Sequence, residues 1–131
     1  LLSGKARIIR KPGHLFNRIH VADLARIIMA AMEQPQQQRV LNCADGNPSE
    51  AGEVIRAAAA MLGMDAPVPV DFADADMSPM ARSFYATARC VDSSQLKSAL
   101  GLDLLYPDYH TGLTAILAEE QRLGLIKDIA T

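Results

Sequence analysis

The sequence predicts an α/β domain with a limited sheet, in which short strands separate four main helices. Three observations support this fold class: apolar residues recur at helical spacing in several segments, short β-branched runs lie between them, and Gly, Pro and capping residues mark their ends. With 131 residues, half of them apolar and 21% charged, the chain can bury one core. We therefore expect a single domain over residues 1–131 and exclude a two-domain enzyme.

The first half of the chain contains two predicted strands and one helix. Residues 5–11 (KARIIRK) are β-branched in the middle and stop at Pro12-Gly13, which predicts a strand running into a turn. A polar loop over residues 34–38 precedes a predicted buried strand over residues 39–44. Residues 21–33 between them form an amphipathic helix, because its apolar residues recur every three or four positions: Val21, Leu24, Ile27, Ile28, Ala31 and Met32.

A second helix is predicted to begin in the stretch Asn47-Pro48-Ser49-Glu50. Asn47 would cap it, Pro48 would take its first position and Glu50 would close a capping box. We expect this helix to run to Leu62 and to end at Gly63.

The remaining elements are shorter. Residues 64–72 should be extended but not a central strand, because two prolines cannot donate to a ladder. Ser78-Pro79 predicts a short helix, and residues 87–91 a small strand. A capping box at residues 92–95 predicts a helix over residues 93–100 that ends at Gly101. The last helix is expected over residues 111–123, with Gly124 after its end.

Composition excludes several classes of protein. The formal net charge of −2 argues against a nucleic-acid binder. No apolar run is long enough to span a membrane and no signal peptide is evident, so we expect a cytoplasmic protein. Cys43 and Cys90 lie in apolar runs and are predicted to be buried free thiols. Because the chain begins at Leu1 rather than Met, we also expect residues upstream of it.

Charge and motifs narrow the chemistry further. The first eighteen residues carry five cations and no acid. These charges either attract an anionic ligand or are solvated Lys and Arg side chains on an edge strand, where they discourage pairing with another strand. The three histidines are too scattered for a metal site, and the acidic loop around Asp74 lacks the Gly and Glu of a calcium loop. The sequence contains no nucleophile elbow, phosphate loop or G-x-G-x-x-G turn.

One stretch nevertheless resembles a known family. Residues 13–25 read GHLFNRIHVADLA, and a hydrophobic-His-Val-x-Asp-hydrophobic-Ala string before an amphipathic helix is characteristic of extended short-chain dehydrogenases/reductases, the NAD-dependent epimerase/dehydratase family. Residues 40–46 (VLNCADG) resemble that family's strand with a Y-N-x-x-D/G ending. Its closing segment is similar to residues 89–92, 96–101 and 106–113.

The resemblance implies that the chain is the C-terminal, substrate-binding portion of a Rossmann-type member of this family. The dinucleotide-binding part and the catalytic Tyr-x-x-x-Lys pair would lie upstream of Leu1, so this portion supplies no catalytic and no cofactor-binding residue of its own. NAD or NADP would be bound by the missing part. The intact protein would then be an NAD(P)-dependent epimerase, dehydratase or reductase acting on a small molecule. A nucleotide-sugar is a candidate substrate, and a homodimer is a candidate oligomeric state.

Three arginines are candidates for contact with an anionic substrate. Arg18 is the first, because a guanidinium can bind two phosphate oxygens at once, although a surface ion pair is the alternative. Many sugar-nucleotide members carry their arginine two residues earlier, where this chain has Phe16, which makes it an atypical member. Arg82 and Arg89 are the second group, since the family's late segment commonly supplies another arginine to a phosphate.

Three further side chains complete the predicted site. Phe16 and Tyr85 would wall a pocket against a ring, or else fill the core, and the Tyr85 hydroxyl would face the ligand. His20 either contacts substrate or caps the helix that follows it. Two other functions fit the sequence: a non-catalytic NAD(P)-binding regulatory relative of the family, and a stand-alone interaction module, which would need a large exposed apolar face.

Overall fold

The computed structural model describes residues 1–34 and 40–126 and shows a mixed α/β arrangement of five helices with four very short strands in this part of the chain. In chain order the elements are β1 (Ile9–Arg10), β2 (Leu15–Phe16), α1 (Val21–Glu33), β3 (Ser49–Glu50), α2 (Ala51–Met61), β4 (Val70–Asp71), α3 (Pro79–Phe84), α4 (Gln95–Leu100) and α5 (Tyr109–Arg122).

The strands form two separate pairs. β1 runs parallel to β4, with Ile9 opposite Val70, and β2 runs antiparallel to β3, with Leu15 opposite Glu50. Arg10 reinforces the first pair by donating two hydrogen bonds to the Asp71 carboxylate, at 2.6 and 2.7 Å. The predicted strand over residues 5–11 is therefore only two residues long, because its partner is the proline-rich segment, which pairs solely at its end.

α1 has the predicted bounds and supplies the core. Ile27 is buried together with Leu96 and Leu100 of α4, and half-buried residues such as Leu41 and Cys43 surround this cluster. The apolar residues of this helix do not all face the core, since Val21, Ile28 and Met32 are exposed. α1 therefore presents one apolar face to α4 and a second to the outside.

The predicted start of the second helix is also wrong. The cap of α2 is Glu50 rather than Asn47, and the capping box pairs Glu50 with Glu53. The reason is that Ser49 and Glu50 are held in β3, while the Asn47 amide donates to Asp45 Oδ1 in a turn. Gly63 follows α2 with a φ of +61°, as predicted.

The last two helices differ from prediction at their starts. α4 begins at Gln95 rather than at residue 93: Asp92 Oδ1 accepts from the Ser94 amide, and the side chain of Ser94, which directly precedes the helix, makes no capping hydrogen bond. α5 begins two residues earlier than expected, since Asp108 caps it by accepting from the Thr111 amide at 2.8 Å.

Neither of the two other predicted strands forms. Residues 40–44 belong to no strand, and their peptide groups make no backbone hydrogen bond within the described residues. Residues 87–91 are bound instead by a side chain, as described below. The predicted loop and strand residues 35–39 lie outside the described part of the chain.

Two smaller expectations have mixed outcomes. Cys43 and Cys90 are both free, but Cys90 is exposed rather than buried, because the segment that carries it does not join a sheet. Among the helices of the described ranges, none combines the length and the apolarity needed to cross a bilayer.

Candidate functional site

A cavity of about 250 Å³ opens between β2 and the segment that follows α3. We call it the Arg89 cavity, and its lining residues are His14, Leu15, Phe16, Asn17, Phe84, Thr87 and Arg89. It brings two of the predicted site residues, Phe16 and Arg89, into one space although they lie far apart in the sequence.

Asn17 holds the two walls of the Arg89 cavity together. Its Nδ2 donates to the Arg89 carbonyl at 2.5 Å, and its Oδ1 accepts from the Val91 amide at 3.0 Å. One side-chain amide thus replaces the ladder that a neighbouring strand would provide, which is why residues 87–91 are ordered without being a strand.

The three arginines predicted to bind substrate differ in whether their guanidinium groups already have partners in the protein. Arg89 is exposed, and its guanidinium has no hydrogen bond or ion pair with any residue in the described ranges. Arg82 is occupied, because it donates to the Ala75 carbonyl at 2.9 Å and lies over the ring of Phe72 at 4.9 Å. Arg89 is therefore the arginine whose charge is available to a ligand.

Arg18 is anchored in the protein through one of its nitrogens. Its Nη1 donates to the Phe16 carbonyl at 3.1 Å and to the carbonyl and hydroxyl of Ser49 at 3.0 and 2.8 Å. Burial lowers the pKa of Arg18, and the negative charge of Asp45 partly offsets that effect. These bonds tie β2 to β3.

The aromatic residues form a cluster behind the Arg89 cavity. The Tyr85 ring lies 5.1 Å from His14, 5.8 Å from Phe16 and 5.6 Å from Phe72, and its burial raises the pKa of its hydroxyl. Lys11 donates to the Tyr85 carbonyl, which attaches this segment to the basic N-terminal stretch. Tyr85 thus supports the wall that Phe16 forms.

His20 lies in a second, smaller cavity of about 130 Å³, which Arg18, Asp45, Tyr106 and Tyr109 also line. Its Nδ1 accepts from the Ala22 amide at 3.2 Å, so it caps α1, and its ring stacks 3.9 Å from that of Tyr106. Its Nε2 is buried without a partner in the described part of the chain. Four of the six predicted site residues are therefore divided between two cavities, and Arg82 and Tyr85 line neither of them.

Sequence reasoning missed His14 and Asn17. A signal was available for His14, because it precedes Phe16 by two positions and alternate residues of an extended segment point to one side. No such signal exists for Asn17, since its partners are 72 and 74 residues away.

The starts of α2 and α5 do not fit the pyrophosphate of a nicotinamide dinucleotide. A pyrophosphate binds where the first amides of a helix are free, whereas here Glu50 occupies the start of α2 and Asp108 the start of α5. Both carboxylates would repel an anion. Nor do residues 1–34 and 40–126 gather three His, Cys, Asp or Glu side chains that could hold a metal ion.

The solved structures of two proteins are similar in fold to this chain. The chain is 43% identical to a functionally unknown conserved protein from Silicibacter pomeroyi, with a TM-score of 0.84 over 88% of this chain and 41% of that one. It is 23% identical to the human epimerase family protein SDR39U1 (isoform 2), solved with NADPH, with a TM-score of 0.73 over 88% of this chain and 40% of that one.

The chain therefore spans about two fifths of the length of the solved structures it matches. No family model and no curated protein matches it. The likeness confirms the α/β fold implied by the sequence resemblance: the chain has the fold of part of an epimerase-family protein.

Proposed function

We propose that this chain is the C-terminal, substrate-side portion of an NAD(P)-dependent epimerase, dehydratase or reductase. The fold supports the proposal, since one structural relative is an epimerase-family protein that binds NADPH and is more than twice as long. In this proposal the cofactor is held by a dinucleotide-binding part outside these residues, since the carboxylates at the starts of α2 and α5 would repel its pyrophosphate.

The observation that carries this proposal is an uncovered apolar stripe on α1. Val21, Ala25, Ile28 and Met32 follow one another at spacings of three and four residues, so they share one side of the helix. Ile28 is 52% exposed and Met32 75% exposed. A helix with apolar residues on two sides is ordinarily packed on both, which indicates a neighbour on the outer side.

A second feature indicates the same neighbour. Residues 40–44 read VLNCA, four apolar residues and one asparagine, yet their peptide groups have no backbone partner within the described residues. Peptide groups in such a segment ordinarily pair with a strand. In our proposal, the dinucleotide-binding part covers the α1 stripe and pairs with this segment.

The substrate in this proposal is a small anionic molecule bound in the Arg89 cavity. The free guanidinium of Arg89 supplies the charge and Phe16 an apolar wall. A nucleotide-sugar is the specific candidate, because it combines phosphate with rings that pack against aromatic side chains.

The proposal is tested on the intact protein that contains these residues. NADPH is titrated while its fluorescence is followed, and hydride transfer is then assayed with a panel of nucleotide-sugars. We expect NADPH to bind and at least one nucleotide-sugar to be converted to a new product, which is followed on the sugar because an epimerase or dehydratase regenerates its cofactor. Failure of the intact protein to bind NADPH or NADH would refute the proposal, and binding without turnover would favour a non-catalytic regulatory relative.

A further inference from the structure

His14 is a nearly buried histidine, and one of its two ring nitrogens has no hydrogen-bond partner among the described residues. It is 5% exposed, and its Nε2 lies 3.1 Å from the Phe84 carbonyl oxygen. A carbonyl oxygen only accepts hydrogen bonds, so Nε2 carries the proton and Nδ1 of the neutral ring is an acceptor. The protein itself thus fixes which nitrogen can accept a hydrogen bond.

The orientation of the His14 ring is fixed as well. It meets the Phe16 ring edge-on at 4.8 Å and lies against the Tyr85 ring at 5.1 Å. Nδ1 has no partner among the residues the structure describes, and, unlike Nε2 of His20, it is not sealed from the adjoining space. His14 is also one of the residues that line the Arg89 cavity.

The other side chains of the cavity are those that a planar anionic ligand requires. Phe84 is 65% exposed and presents an uncovered ring, and the guanidinium of Arg89 has no partner among the described residues. The volume of about 250 Å³ is slightly below that of ordinary ligand pockets, which begin at about 300 Å³. It therefore suits one ring, with a charged group extending toward Arg89.

We infer that His14 is a specificity-determining residue, whose Nδ1 accepts a hydrogen bond from an N–H group on the planar ring of the substrate. Phe16 and Phe84 contact that ring and Arg89 binds the anionic group attached to it. This inference rests on the proposed function, because it deepens the description of the same substrate site.

The first test uses uridine 5′-monophosphate and its N3-methyl derivative, titrated by calorimetry into the intact protein. The two probes share ring and phosphate and differ in the single N–H donor. We expect the methyl derivative to bind about tenfold more weakly, which is the effect of one lost hydrogen bond with its acceptor left unpaired. Equal affinity for the two probes would overturn the inference.

Two variants locate the effect. His14→Phe keeps an aromatic ring but removes the acceptor, so it should bind both probes equally. Arg89→Met should weaken both probes and preserve the tenfold difference between them. Because Arg89 is exposed and has no partner within residues 1–34 and 40–126, this second variant should fold, and comparing the two probes in it keeps the site testable if His14→Phe does not fold.

The outcomes separate this inference from the proposed function. A protein that binds NADPH but neither uridine probe refutes the role of His14 and leaves the proposed function in place. Discrimination between the probes that persists in His14→Phe also refutes it. A protein that binds the probes but neither NADPH nor NADH refutes the proposed function alone.

Discussion

The carboxylate of Asp23, at the start of α1, accepts a hydrogen bond from the backbone amide of Leu105, 2.9 Å away and 82 residues later in the chain. Its second oxygen accepts from the Tyr106 amide, also at 2.9 Å, and Arg26 pairs with the first. Asp23 is fully buried. One charged side chain thus attaches the segment before α5 to α1.

Replacing Asp23 should therefore be severe. Asp23→Asn presents an amide nitrogen to one of two backbone N–H donors and removes the charge opposite Arg26. We expect a loss of about 2–4 kcal/mol in the free energy of unfolding, measured by urea denaturation. Asp103→Asn is the matched control, since its ion pair with Lys97 is exposed and should be worth about 0.5 kcal/mol or less. Equal losses in the two variants would contradict this account.

The acid side of the stability profile should also depend on Asp23. Burial would raise the pKa of Asp23, but hydrogen bonds from Leu105, Tyr106 and Arg26 outweigh that effect and lower it. The unfolded chain then binds the proton more tightly, so this contribution is complete above the ordinary pKa of about 3.9 and is lost as the pH falls through the lower folded value. Between about pH 6 and pH 3, the wild type should lose more stability than Asp23→Asn. Parallel profiles would show that Asp23 is not responsible.

His20 should matter through its cap. His20→Ala removes the acceptor for the Ala22 amide and is expected to destabilise the chain by about 1 kcal/mol. His20→Asn should be the milder change, because asparagine is among the strongest capping residues and the unpaired buried Nε2 disappears. Thermal unfolding of the two variants decides the order, and a less stable asparagine variant would reverse our interpretation.

Replacing Arg18 should lower the stability of the protein much more than replacing Arg89. Arg18→Met leaves the Phe16 and Ser49 carbonyls without their donor and should destabilise the chain by about 2 kcal/mol. Arg89→Met removes a guanidinium without protein partners among the described residues and should change stability by less than about 0.5 kcal/mol. Denaturation curves in urea compare them directly. A large effect of Arg89→Met would mean that its charge serves the fold.

The outer side of α1 should be sensitive only because of its neighbour. In the intact protein, Met32→Glu is expected to lower the free energy of unfolding by about 2 kcal/mol, since it places a charge in the proposed interface. Val68→Glu is the control, because Val68 is 85% exposed between two prolines and belongs to no helix. If both variants are as stable as the wild type, the α1 stripe faces solvent.

Helix ends were predictable from the sequence where the signal is local. Gly63, Gly101 and Gly124 follow their helices with positive φ, and the bounds of α1 match its pattern. The start of α2 was not, because the pairing of β2 with β3 holds Ser49 and Glu50 extended. A distant contact there overrides the helix-start signal of Asn47 and Pro48.

Strands and site geometry were less accessible to sequence reasoning because they depend on distant partners. Residues 40–44 have the composition of a strand but no partner among the described residues, and residues 87–91 are fixed by a side chain from β2. The pattern of α1 likewise identifies its apolar residues without showing which side is covered. For the same reason, the sequence ranked Arg18 first and Arg82 and Arg89 second as ligands of an anionic group, whereas the structure shows Arg18 and Arg82 bonded to the protein and Arg89 without a partner among the described residues.

The clamp formed by Asn17 has a consequence for how this scaffold can change. The Asn17 side chain forms hydrogen bonds with the backbone carbonyl of Arg89 and the backbone amide of Val91, and not with the side chains of these two residues. A replacement segment of the same length could therefore form the same two hydrogen bonds with Asn17 while presenting different side chains to a ligand in the Arg89 cavity. Ligand preference and foldability become separately adjustable traits, which is the property sought in a starting point for laboratory evolution.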